Sequence, residues 1–187
     1  MAVLKLCIPA VLVVLGCCWN SASGCMWMKS NFQDLSNRSM FHLQEACTHV
    51  VRHGNRNLEF PYRLYSHVTE LQAKDHLLFI LRVLKHVMRL FEKSDDSAEC
   101  DQKKLQTFIQ DIHRQTTEIE GCATKTNSSE LNKKIIKKME IHFRGLISHL
   151  KHTDHSASGW RDVVGIIQEH LRRLALVGIK TKLDPNV

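Results

Sequence analysis

Proline is almost absent from this chain. Three prolines stand among 187 residues. Pro9 lies near the start and Pro185 near the end, which leaves Pro61 alone in the body of the chain. With so few breakers, long stretches are free to be helical. Glycine is nearly as sparse, with eight residues, and neither a convincing β-hairpin signal nor a low-complexity segment occurs. Beyond residue 24 no apolar run reaches the ~20 residues that a membrane span requires. Enzyme signatures are missing too: no phosphate-binding loop, no nucleophile motif and no supported pair of catalytic carboxylates. No cofactor is expected.

What is present begins with an export signal. Lys5 supplies a positive start, Leu6 to Trp19 is an uncharged and mostly apolar run, and Ala22-Ser23-Gly24 offers a small-residue cleavage site. Residues 1–24 are expected to be a signal peptide rather than an uncut anchor, with Cys25 opening a secreted domain over 25–187. Cys7, Cys17 and Cys18 leave with the signal, and loss of Lys5 lowers the net charge from +7 to +6. Such a surface favours acidic partners, whether receptor, glycosaminoglycan or anionic lipid. The sequons Asn37-Arg38-Ser39 and Asn127-Ser128-Ser129 mark expected glycosylation positions.

Helical periodicity accounts for most of what remains. A first helix is predicted from about Met28 to Val51, with Met28, Phe32, Leu35, Ser39, Leu43, Ala46 and Val50 on one side. A second runs from about Asp75 to Lys93, with a seam of Leu77, Leu81, Leu84, Met88 and Phe91. The third lies between Cys100 and Cys122, carries Leu105, Phe108, Ile109, Ile112, Thr116 and Ile119, and is expected to be capped by Ser97 and to stop at Gly121. The fourth, Leu131 to Lys151, is expected to be capped by Asn127 and to bury Ile135, Met139, Phe143, Leu146 and Leu150. The fifth, Gly159 to Val177, buries Trp160, Val163 or Val164, Ile167, Leu171 and Leu174 and stops at Gly178, with a loose tail from Lys180. The connection between the first two helices exceeds twenty residues. It is too long for a hairpin and suits an overhand crossover between helices pointing the same way. The fold class is therefore all-α: a four-helix up-up-down-down bundle with a fifth helix and a long first crossover.

The cysteine spacing tests that topology. Cys25 and Cys47 are 22 residues apart, as are Cys100 and Cys122. Twenty-two helical residues span about 33 Å, whereas a disulfide needs Cα atoms within about 7 Å. Pairing within either helix therefore fails. If the first two helices are parallel and the third turns back, Cys25–Cys122 and Cys47–Cys100 become two rungs at opposite ends of one antiparallel pair. Cys25–Cys100 would have to cross the domain.

Local motifs then carry a family likeness. Phe60-Pro61-Tyr62-Arg63-Leu64-Tyr65, Val87-Met88-Arg89-Leu90-Phe91 and Asp96-Ser97-Ala98 resemble, in order and spacing, segments of type I interferons, especially fish ones. Cys25-Met26-Trp27 is similar to the family's mature start. His142-Phe143-Arg144-Gly145-Leu146 and Ser156-Ala157-Ser158-Gly159-Trp160 are similar to its fourth and fifth helices. Two positions depart. Ser158-Gly159-Trp160 stands where many relatives have Cys-Ala-Trp, and Cys100 stands where relatives often have Trp. The resemblance itself supports Cys25–Cys122, while Cys47–Cys100 rests on geometry. It implies a monomeric antiviral ligand that bridges a heterodimeric class II cytokine receptor. One receptor chain would contact the first helix, the crossover and the fifth helix; the other would contact the second, third and fourth. In the fifth helix the family's exposed strip aligns with Val164, Gly165, Gln168 and Glu169, with Arg172 one turn on. A plain solvent face is the alternative.

Other clusters are weighed beside this. Lys133, Lys134, Lys137 and Lys138 fall on one side of the fourth helix, a solvated face or a heparan-sulfate patch. In an exported chain they are not a nuclear or nucleic-acid signal. His149, His152 and His155 recur every three residues without a placed carboxylate or cysteine ligand, so no metal site is expected. The rival readings are another secreted helical cytokine or a cationic amphipathic protein acting on membranes. Stable membrane insertion is not expected.

Overall fold

The structure is a computed structural model that describes residues 26–47, 58–92, 100–123 and 129–182. After a helical turn over 26–30, its helices are α1 (Phe32–Ala46), α2 (Tyr62–Val68), α3 (Ala73–Glu92), α4 (Gln102–Ala123), α5 (Glu130–His152) and α6 (Ala157–Lys182). The described residues contain no strand. The expected signal peptide, Cys25, Val50, Ser97 and Asn127 lie outside the described residues.

Pair by pair, the contacts fix the chain directions. Ser39 meets Gln115 and Glu45 meets Lys104, so α1 and α4 are antiparallel. Phe91 packs edge-on against Phe108 while Lys85 pairs with Glu120, so α3 and α4 are antiparallel too. Asp75 meets Asn132 and His86 stacks on Phe143, both 57 residues apart, so α3 and α5 run parallel. His142 meets His170 and His149 meets Asp162, which sets α6 against α5. The result is up-up-down for α1, α3 and α4, with α6 as the second down helix and α5 as the extra traverse.

The core lies where these helices meet. Phe32, Phe79, Phe108, Phe143 and Trp160 are fully buried within it, and Phe91 spans from Phe108 to Trp160. The described residues of the predicted first-helix seam, Met28 to Ala46, are all buried, including Ser39, whose hydroxyl donates to the Leu35 carbonyl.

Helix ends differ from the sequence expectation for identifiable reasons. Asp101 caps α4, its carboxylate accepting from the Lys104 amide at 3.0 Å. Ser129, not Asn127, caps α5 by accepting from the Asn132 amide. α4 runs past Gly121 to Ala123, and α6 runs past Gly178 to Lys182. Gly178 is there for close approach, because a Cβ at that position would overlap the Phe32 ring. The small residue lets α6 lie against α1 rather than ending the helix. The crossover also holds a helix that periodicity did not reveal, since the seven residues of α2 are too short to display a repeat.

Candidate functional site

Tyr65 anchors that short helix. It is buried, and its hydroxyl lies 2.7 Å from His170 Nδ1 on α6. His170 Nε2 in turn lies 3.0 Å from His142 Nε2 on α5. Burial holds His170 well below the usual histidine range, with His142 and His86 adding to the effect. Burial alone lowers His142 to about 4. Burial also raises the Tyr65 phenol well above its ordinary value. All three groups are therefore neutral near pH 7, and one proton sits between the facing Nε2 atoms. If the Tyr65 hydroxyl donates to Nδ1, then His170 Nε2–H donates to His142; the opposite direction needs both tautomers exchanged. Phe60 covers this clasp, stacking on Tyr65 and leaning on His170. A crossover segment is thereby fixed to two helices of the bundle.

The clasp decides what faces outward beside α6. Tyr62 is exposed, and the Arg173 guanidinium lies over its ring at 5.1 Å. Further along, Lys180 donates to the Thr69 carbonyl. α6 is thus flanked by α2 on one side and, through Gly178 and Phe32, by α1 on the other. The strip aligned from sequence is redrawn by burial. Val164 is only 1% exposed and belongs to the core, and Glu169, 8% exposed, is held by Arg172 and Arg173. Gly165 and Arg172 are open and Gln168 is half-buried. The same stripe continues through Leu176 and Ile179, exposed by 51% and 43%. Sequence reasoning missed Ile179 because it ended the helix at Val177, and missed Leu176 because the aligned strip stopped at Arg172. Their steps of four and three from Arg172 were the available signal.

Comparison with known proteins bears on what such a bundle is. A family model of the interferon alpha/beta domain matches residues 27–177. The chain belongs to the interferon alpha/beta family. Interferon a3 of Oncorhynchus mykiss is 23% identical over 154 residues, covering 82% of this chain and 84% of that protein. Among solved structures, zebrafish interferon 1 shares the fold with a TM-score of 0.74 at 20% identity, covering 82% of this chain and 98% of that one. The chain is a fish-type type I interferon, a helical cytokine and not an enzyme.

The remaining sequence candidates find their places in this interferon. Cys47 and Cys100 form a disulfide with Cα atoms 4.4 Å apart, beside a hydrogen bond from the Asp101 amide to the Ala46 carbonyl. Farther along the strut, Asp111 takes Arg38 and His42 together at 2.6 and 2.8 Å. Cys122 is buried and disulfide-bonded. Its expected partner Cys25 lies outside the described residues. Asn37 is exposed on α1, and Asn127 lies outside the described residues. The four lysines of α5 border two grooves that share Lys137. Lys133 and Lys137 line a groove against α3, whereas Lys134, Lys137 and Lys138 border Leu64 and His67 of α2. The three histidines diverge: His149 meets Asp162, His152 bonds the Ser148 carbonyl, and His155 sits in the turn with φ of 51°.

Proposed function

We propose that the mature chain is a secreted antiviral cytokine that bridges two class II cytokine receptor chains. Bringing those chains together activates their associated kinases and then antiviral genes. The observation that carries the reading is the convergence of α1, α2 and α6 on one face. There an exposed stripe of Gly165, Gln168, Arg172, Leu176 and Ile179 lies beside Tyr62 and Arg173. Arginine and tyrosine are residue types enriched at interface hot spots, and the exposed Leu176 and Ile179 add apolar surface beside them. The second receptor chain would take the surface of α3, α4 and α5. Cleavage after Gly24 would release the chain, and pairing of Cys25 with Cys122 would close the second rung of the α1–α4 strut. Receptor bridging itself makes and breaks no covalent bond; activity follows from mass action.

The test treats fish cells with the mature protein and scores protection from virus, with matched cells lacking one receptor chain as control. Protection only in receptor-bearing cells is expected. Equal protection of receptor-deficient cells, or leakage of protein-free anionic vesicles at the same concentration, would replace the receptor reading with a membrane-active one.

A further inference from the structure

Between the parallel helices α3 and α5 runs an open groove of about 550 Å³, lined by Leu78, Arg82, Lys85, His86, Arg89, Lys133, Ile136, Lys137 and Glu140. Five of its side chains are lysine or arginine. We propose that this groove is a binding site for a linear sulfated glycosaminoglycan.

The layout of charge supports a chain-like anion. Since α3 and α5 keep a constant offset of 57 residues, Lys133 lies level with position 76 of α3 and Lys137 with position 80. Arg82, Lys85 and Arg89 continue the series. Cations therefore succeed one another over thirteen helical positions, about 20 Å at 1.5 Å per residue. That is a track for repeated sulfates and not a pocket for one. Lys85 and Lys133 are already paired, with Glu120 and Glu130 respectively, and Glu140 stands on the wall. Arg82, Arg89 and Lys137 form no ion pair among the described residues. Burial and the neighbouring arginines push His86 below its ordinary range, so it adds no charge at neutral pH.

Within the α3–α4–α5 surface proposed for the second receptor chain, the lining of this groove itself favours a polyanion over protein side chains as its occupant. The groove has no Trp, Tyr or Phe, the residues that anchor protein interfaces alongside arginine. Its apolar floor is limited to Leu78 and Ile136, both only half-buried. Long flexible cations over a shallow floor suit a polyanion held by charge. The proposal does not rest on receptor bridging, because immobilised heparin tests it with no receptor present.

The experiment compares the parent with the triple variant Arg82→Gln/Arg89→Gln/Lys137→Gln. Its control, Lys103→Gln/Lys151→Gln/Lys182→Gln, removes the same charge from exposed sites elsewhere. Circular dichroism and thermal melting verify that both fold. On a heparin column the groove variant should elute at clearly lower salt than the control. For size-defined heparin oligosaccharides its Kd should rise at least tenfold, and the slope of log affinity against log salt should fall by about two to three, near one counterion per lost cation. De-sulfated heparin should bind the parent no better than it binds the groove variant. Equal weakening in groove variant and control would reduce the effect to net charge and overturn the proposal. A groove variant that keeps its heparin affinity but loses cell signalling would assign the surface to a receptor chain, and would overturn it as well.

Discussion

Lowering the pH should loosen the clasp that joins α2, α5 and α6, by an amount that follows from its geometry. A histidine in the unfolded chain titrates near 6.5, whereas His142 in the fold is held at about 4 by burial against its partner His170. With the folded value below the unfolded one, the unfolded chain takes up protons first as the pH falls. The contribution is intact above about pH 6.5 and is lost on descending toward 4. For His142 alone, the loss is about 2 kcal/mol by pH 5 and about 3 kcal/mol by pH 4. His170 deepens the fall, since burial keeps it well below the usual range. Urea unfolding at pH 7.5, 6.0 and 5.0 measures this directly, with His142→Gln as comparison because its amide still bonds but does not titrate. The parent should lose about 2 kcal/mol more than the variant between pH 7.5 and 5.0. Parallel stability curves for the two proteins would refute the reasoning.

Two further changes probe the frame. Cys47 and Cys100 are separated by 53 residues, for which chain entropy allows up to about 4 kcal/mol. Changing both to Ser should lower the melting temperature by about 8–16 °C, and an unchanged melting temperature would remove the bond from the list of constraints. Gly165 and Gly178 lie on one helix but meet different surroundings: open space at the first, the Phe32 ring at the second. Gly165→Ala should stabilise by up to about 1 kcal/mol through helix propensity. Gly178→Ala should destabilise by about 1–3 kcal/mol through overpacking, and differential scanning calorimetry separates the two signs.

Much of this molecule was legible before any coordinates. The seams of Phe32 to Ala46 and Leu77 to Phe91 recur at helical spacing because one side of each helix is buried, so period and burial report the same fact. The crossover was legible as a length, and its length implied parallel first helices. Its contents were not. α2 is held by Tyr65, His170 and His142, three residues from segments far apart in sequence, and no local pattern encodes such a contact. Gly121 and Gly178 were misjudged as stops because glycine does favour helix ends. At Gly178 the residue answers instead to a neighbour 146 positions away, the Phe32 ring. On α6, Val164 and Glu169 looked available by alignment, yet a helix packed against both α1 and α3 buries them, while Gly165, Gln168, Arg172, Leu176 and Ile179 stay on its open side.

The receptor face is the centre of the account, and binding to the isolated receptor ectodomains tests it most directly. Arg172→Glu combined with Leu176→Ala should weaken affinity for one receptor chain at least tenfold, with helicity unchanged and affinity for the other chain preserved. Unaltered affinity for both chains in that folded variant would contradict the assignment of the α1–α2–α6 face.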